Sequence, residues 1–159
     1  MSAQPTDELL ATVASIDLLS NALRSLDTAI SAERAGEKYV AAHLAALRAA
    51  AALLASHAQP NNRRPTSAWV LLANRFPEFT EWSQFFAAGA GKRAAAEAGL
   101  GGAVTPREAD DLVRDAHEFI DVVSAKLGIS RQLTLPTQRA AIVEPAGKSN
   151  VLPFKPRTT

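Results

Sequence analysis

Few side chains in this sequence could do proton or phosphate chemistry. There are three histidines and no cysteine, so acid–base work would fall to His43, His57 or His117. His43 and His57 sit in one alanine-rich stretch, "EKYVAAHLAALRAAAALLASHA", residues 37–58. Fourteen residues separate them, which is about 21 Å along a helix. They cannot share a metal ion or a substrate within one chain. His43 lies beside apolar stripes, where a histidine more often packs and hydrogen-bonds than catalyses. His117, in "RDAHEF", is on the polar shoulder of a helix that also carries Asp110, Asp111, Asp115, Glu118 and Asp121. Asp111, Glu118 and Asp121 share a face with Arg107 and Arg114, the pattern of a solvated, salt-bridged surface. A carboxylate metal site would need a second acidic helix opposite, and none is evident. No nucleophile elbow, phosphate loop or zinc spacing occurs, so no cofactor and no metal are expected. "GLGGAV", residues 99–104, lacks a preceding strand and a lysine and reads as a loop. "NNRRP", residues 61–65, offers two arginines to a phosphate, too few for a nucleic-acid signature.

The elements that would position these residues are all helical. Leu9, Val13, Ile16, Leu19, Leu23, Leu26 and Ile30 step by threes and fours, which predicts a helix over 6–32 capped by Thr6. Asn21 and the serines beside it allow a break into two. In the alanine-rich stretch, Val40, Leu44, Leu47, Ala51, Leu54 and Ala58 form one stripe. Tyr39, His43, Ala46, Ala50, Leu53 and His57 form the next. Ten alanines lie between Ala41 and Ala58. Alanine favours helix and lets neighbouring helices approach closely, so this element belongs at the centre of a bundle, with Leu47 and Leu54 as core leucines.

"RRPTSAWVLLANRFPEFTEWSQFFAAGAGKRAAAEAG" predicts a short helix capped by Ser67 or Thr66, a junction at Pro77 and a second helix. Trp69, Leu72, Phe76, Phe79, Trp82, Phe85 and Phe86 supply aromatic and apolar anchors. Gly89 and Gly91 weaken the second helix unless something packs tightly against it. The last helix starts with a Thr105–Glu108 capping box around Pro106 and stops at Gly128. Its buried face is Ala109, Leu112, Val113, Ala116, Phe119, Ile120, Val123 and Leu127. No strand-like alternation appears. The expected fold is all-α, an up-and-down bundle of four to five helices over residues 1–128.

Composition agrees. Apolar residues make up 47 % and aromatics only 6 %, so alanine and leucine must do most of the packing. The lack of cysteine rules out a disulfide framework and fits a cytoplasmic location. The first residues, "MSAQPTDELLATVAS", do not read as a secretory signal, and no membrane span is expected. The net charge of +1 conceals an asymmetry. From Ser130 onward the basic residues are Arg131, Arg139, Lys148, Lys155 and Arg157 against Glu144 alone. That segment is +4 and the remainder −3. It also carries Pro136, Pro145, Pro153 and Pro156, so residues 129–159 are expected to be a disordered basic tail.

The strings "ERAGEKYVAAHLAALRAAAALLASHA" and "RRPTSAWVLLANRFPEFTEWSQFFAAGAGKRAAAEAG", followed by a capped, acidic-faced helix, resemble a family of small actinobacterial proteins classed among the HEPN domains. The resemblance spans about residues 16–128. It implies an up-and-down helical bundle and brings no established activity. Many HEPN proteins are ribonucleases with an R-x(4–6)-H motif, often completed across a dimer. Here Arg34 precedes His43 by nine residues, Arg48 precedes His57 by nine, and Arg114 precedes His117 by three. None fits.

Two functional expectations follow. The first is a non-catalytic interaction or regulatory module. "QLTLP", residues 132–136, is similar to the peptides by which bacterial replication and repair proteins dock on the sliding clamp. In that resemblance Gln132 makes polar contacts, and Leu133 and Leu135 enter an apolar pocket. A homodimer is compatible with this reading, and a membrane is not part of it. The second is an atypical HEPN ribonuclease or a toxin–antitoxin-type RNA-binding protein. It would use His43 or His117 as acid–base and Arg48 or Arg114 to hold phosphate.

Overall fold

In the computed structural model the described residues are 4–57 and 66–130, and among them there are helices and no strand. The helices are α1 (Pro5–Ser31), α2 (Ala35–Ser56), α3 (Ala68–Arg75), α4 (Thr80–Ala88), α5 (Ala90–Glu97) and α6 (Pro106–Leu127). A 3₁₀ turn, Pro77–Phe79, leads into α4. The single helix expected after Pro77 is two, α4 and α5, broken at Gly89.

α1 and α2 form an antiparallel hairpin. Ser15 Oγ donates to the Ala52 carbonyl at 2.9 Å, near one end of the pair. Further along, Arg48 donates to Ser25 Oγ and, at 3.5 Å, to the Asn21 carbonyl. Ser15 and Ser25 also bond to the carbonyls of Ala11 and Asn21 one turn back, so both buried hydroxyls are satisfied inside an unbroken helix. The break that Asn21 would allow is not seen. The start also differs: Pro5 occupies the first turn after Gln4, and Thr6 is not the cap.

α2 is the most buried helix, as its alanines suggested, but its leucines are placed differently. Tyr39, Ala42, His43, Ala45, Ala46, Ala49, Ala50, Ala52 and Leu53 are buried. Leu47 and Leu54 are only partly buried and flank the core. Where helices come closest only a methyl group fits, so the larger side chains are pushed to the margins of the contact. The same rule corrects α1. Its buried ridge is Ser15, Leu19, Ala22, Ser25, Leu26 and Ala29. Leu9, Val13 and Ile30, expected on that ridge, are exposed.

α2 and α6 run side by side in the same direction, with Lys38 Nζ 2.8 Å from Asp110 near their starts. The Thr105–Glu108 capping box forms as expected, and Gly128 ends α6 in the left-handed region at φ 65°. Ser67 caps α3 by accepting from the Trp69 amide at 3.3 Å. α3, the 3₁₀ turn and α4 add an aromatic block. Trp69 stacks on Phe86 at 5.1 Å, and Phe86 meets Phe119 of α6 at the same distance. Phe85, expected among the anchors, is partly exposed instead.

By length and composition α1 and α2 are each long and apolar enough to cross a bilayer. More than half of the α2 window is buried inside this bundle.

Candidate functional site

Among the described residues, a buried histidine, an arginine and several ionisable groups converge among α2, the α4–α5 junction, α5 and the start of α6. His43 occupies its floor. One helical turn before it stands Tyr39. Gly89 lets the α4–α5 junction approach these two side chains of α2. A β-carbon there would come within 2.8 Å of Tyr39 Oη and 3.4 Å of His43 Cδ2. Close approach thus favours glycine here, and its backbone angle is ordinary, φ −80°. No comparable neighbour exists at Gly91, where the space around a β-carbon is open.

His43 is 1 % exposed. Its Nε2 lies 2.8 Å from the Phe86 carbonyl oxygen, and its Nδ1 lies 3.3 Å from an Arg93 guanidinium nitrogen. A carbonyl only accepts and a guanidinium only donates, so Nε2 carries the proton and Nδ1 accepts. The ring is therefore the neutral Nε2–H tautomer. Its edge-to-face contacts with Trp69 and Phe86, both at 6.1 Å, complete the enclosure. Burial pushes its pKa below the ordinary value of 6.5, and the nearby Arg93 charge adds to this. Arg93 in turn leans toward Glu97, 3.7 Å away on the same helix.

Above this floor, Lys92 pairs with Glu108. Glu108 also accepts from the Thr105 amide at 2.8 Å and from its hydroxyl at 3.0 Å. The lysine hydrogen bond and then the two Thr105 bonds hold its carboxyl down at about 2. The same pairing raises Lys92. Burial raises Tyr39, with Lys92 opposing and Glu108 reinforcing. The result is a polar clasp, closed by charge and hydrogen bonds, over a histidine whose two nitrogens are both engaged.

The other residues singled out by sequence are dispersed. Arg48 is directed to α1 through Asn21 and Ser25, not to His43. His57 lies at the end of α2, where its carbonyl accepts from Arg75 at 2.8 Å and its ring packs edge-on to Phe76. Arg114 pairs with Asp111, which Arg107 also approaches at 3.9 Å. His117 Nε2 is 3.9 Å from Asp121, with about half of each side chain exposed. This is the salt-bridged face that the interleaved charges predicted. Gln132, Leu133 and Leu135 lie outside the described residues. Arg93, the arginine that does reach His43, escaped sequence reading because fifty residues separate the two. Among the described residues, no cluster of three or more potential metal-ligating side chains forms. A shallow, open depression lined by Asp27, Thr28, Ser31, Ala32 and Glu37 marks the α1–α2 turn.

A HEPN domain family model matches residues 29–124, which is more than half of the chain. The chain belongs to that HEPN family. The match takes in α2 through most of α6 of this HEPN domain. It leaves out the greater part of α1 and the whole C-terminal segment. Among curated proteins and among solved structures, nothing matches.

Proposed function

We propose that this HEPN domain is a non-catalytic interaction module of the cytoplasm, acting without cofactor or metal. The observation that supports it most is the state of His43. A general base needs a free lone pair within reach of a substrate proton. The His43 lone pair is taken by Arg93, its proton by the Phe86 carbonyl, and its ring is enclosed. The spacing argument adds to this, since no arginine precedes a histidine by the interval that HEPN ribonucleases use. RNA left intact by the purified protein is the expected outcome. Cleavage of single-stranded or transfer RNA that disappears in His43→Ala or His117→Ala would overturn the reading in favour of an atypical ribonuclease.

The contact segment in this reading is Gln132, Leu133 and Leu135, on the likeness of "QLTLP" to clamp-docking peptides. Such a peptide binds by placing alternate apolar side chains in a groove. A link to DNA replication or repair rests on that likeness alone. A peptide spanning residues 129–139 should bind the sliding clamp with micromolar affinity, and Gln132→Ala with Leu135→Ala should abolish it. No binding by the unsubstituted peptide would remove the clamp.

A further inference from the structure

The first turns of α1 present apolar side chains that no described residue covers. Every residue from Gln4 to Leu10 is exposed. Leu9 is 63 %, Leu10 65 % and Val13 48 % exposed, and they adjoin the half-buried Ile16 along one side of the helix. Val13 precedes the buried Ala22 by nine residues, two and a half turns, so it faces directly away from the hairpin seam. Contiguous exposed aliphatics, unlike singly scattered ones, mark interaction surfaces.

The charge around this face narrows what could cover it. Asp7, Glu8 and Asp17 accompany it, and no lysine or arginine precedes Arg24. Two copies pairing through this face would bring like charges together. The occupant should instead be basic and carry aliphatic side chains of its own.

The chain supplies such a segment, and supplies it at the right end of the bundle. α1 begins where α2 ends, because the hairpin is antiparallel and Ser15 reaches Ala52. α6 runs with α2, so it finishes at that same end. There Lys126 bonds Glu78 at 2.7 Å and lies over the Phe76 ring, beside His57 at the end of α2. The remaining 29 residues, 131–159, carry five basic residues against one acid, and include Leu133, Leu135, Val143, Val151, Leu152 and Phe154. Extended, they could span on the order of 95 Å, ample to reach any part of α1. Attachment to the same chain gives them a local concentration of about millimolar, so a weak contact suffices.

We infer that the exposed apolar face of α1 around Leu9, Leu10 and Val13 is the docking surface for the chain's own C-terminal segment, residues 131–159. The contact pairs aliphatic side chains with aliphatic side chains, and Asp7, Glu8 and Asp17 with the basic residues. It stands apart from the outside partner proposed above, although both would engage the same segment.

The absence of cysteine makes a direct test simple. A nitroxide is attached to Thr137→Cys in the full chain, and backbone amide signals are followed by NMR. The amides of residues 6–16 should lose more intensity than those near Leu100, at the opposite end of α2 and α6. The charge reversal Asp7→Lys with Glu8→Lys, both at exposed positions, should restore much of that intensity. Equal loss at both ends, or loss unaffected by the charge reversal, would overturn the inference. In a mixture of spin-labelled chain and isotope-labelled, nitroxide-free chain, the α1 signals should stay sharp. Broadening there as strong as in the singly labelled sample would make a second copy the occupant and overturn it equally.

Discussion

His43 and His117 are the same residue with arginines and acids near both, yet their surroundings give them opposite characters. His43 is enclosed by Trp69, Phe86 and Gly89, has one defined tautomer, and holds Arg93 against α2. His117 stands about half exposed on α6 beside Asp121, among charges that solvent screens. The same functional groups tie helices together in one place and face solvent in the other. Burial and the number of fixed partners decide which, and neither can be read from the types of residue present.

Substitution should separate the two sites clearly. His43→Ala removes a buried ring and takes one hydrogen-bond partner from the Phe86 carbonyl, which keeps the Gly89 amide, and one from Arg93, which keeps Glu97. A loss of about 2–4 kcal/mol in urea unfolding is expected from the cavity and the lost hydrogen bonds. His117→Ala should change stability by less than about 0.5 kcal/mol, as surface substitutions usually do. Equal effects at both positions would dissolve the distinction.

The two glycines at the start of α5 sharpen it further. Gly89→Ala places a methyl group 2.8 Å from Tyr39 Oη, so Tyr39 must shift. A destabilisation of about 1–2 kcal/mol is expected, in line with modest overpacking. Tyr39→Phe in the same chain should recover part of it, which a double-mutant cycle would measure. Gly91→Ala meets open space inside α5 and should stabilise by about 0.5–1 kcal/mol, because alanine restricts the unfolded chain.

Acid should give the smallest and most specific signal. The folded-state pKa of His43 lies below 6.5, so the unfolded chain binds more protons once pH falls through that value. Stability from this group is fully present above pH 6.5 and is lost as pH falls toward the folded pKa. Glu108 acts in the same sense in a lower window, from its ordinary 4.5 down to about 2, with its contribution reduced by solvent. In pH-dependent unfolding, His43→Ala should remove the upper slope and leave the lower one.

Much of the fold was legible in the sequence. The capping box at Thr105 and Glu108, the stop at Gly128, the Ser67 cap and the central place of α2 depend on local chemistry, which sequence carries directly. The choice of buried face in α1 and α2 was not legible. Large aliphatics define an apolar stripe by hydropathy, but tight helix contacts select alanine and serine, so Leu9, Val13, Leu47 and Leu54 lie shallower than their stripe implies. The polar clasp was hidden for a different reason. Arg93 reaches His43 only because α5 folds back over α2 beyond Gly89, and no short-range pattern records that return.

That return has a kinetic side. α5 contributes no buried residue of its own and is held by Lys92 to Glu108 and Arg93 to His43. A helix of eight residues with no fully buried side chain, resting on the core through the half-buried Ala96, opens locally at a lower cost than the bundle unfolds. Its amides should exchange with solvent hydrogen well before those of α2. Each opening bares His43 Nδ1, so a histidine-modifying reagent would gain access at the rate at which α5 lifts, long before the core comes apart.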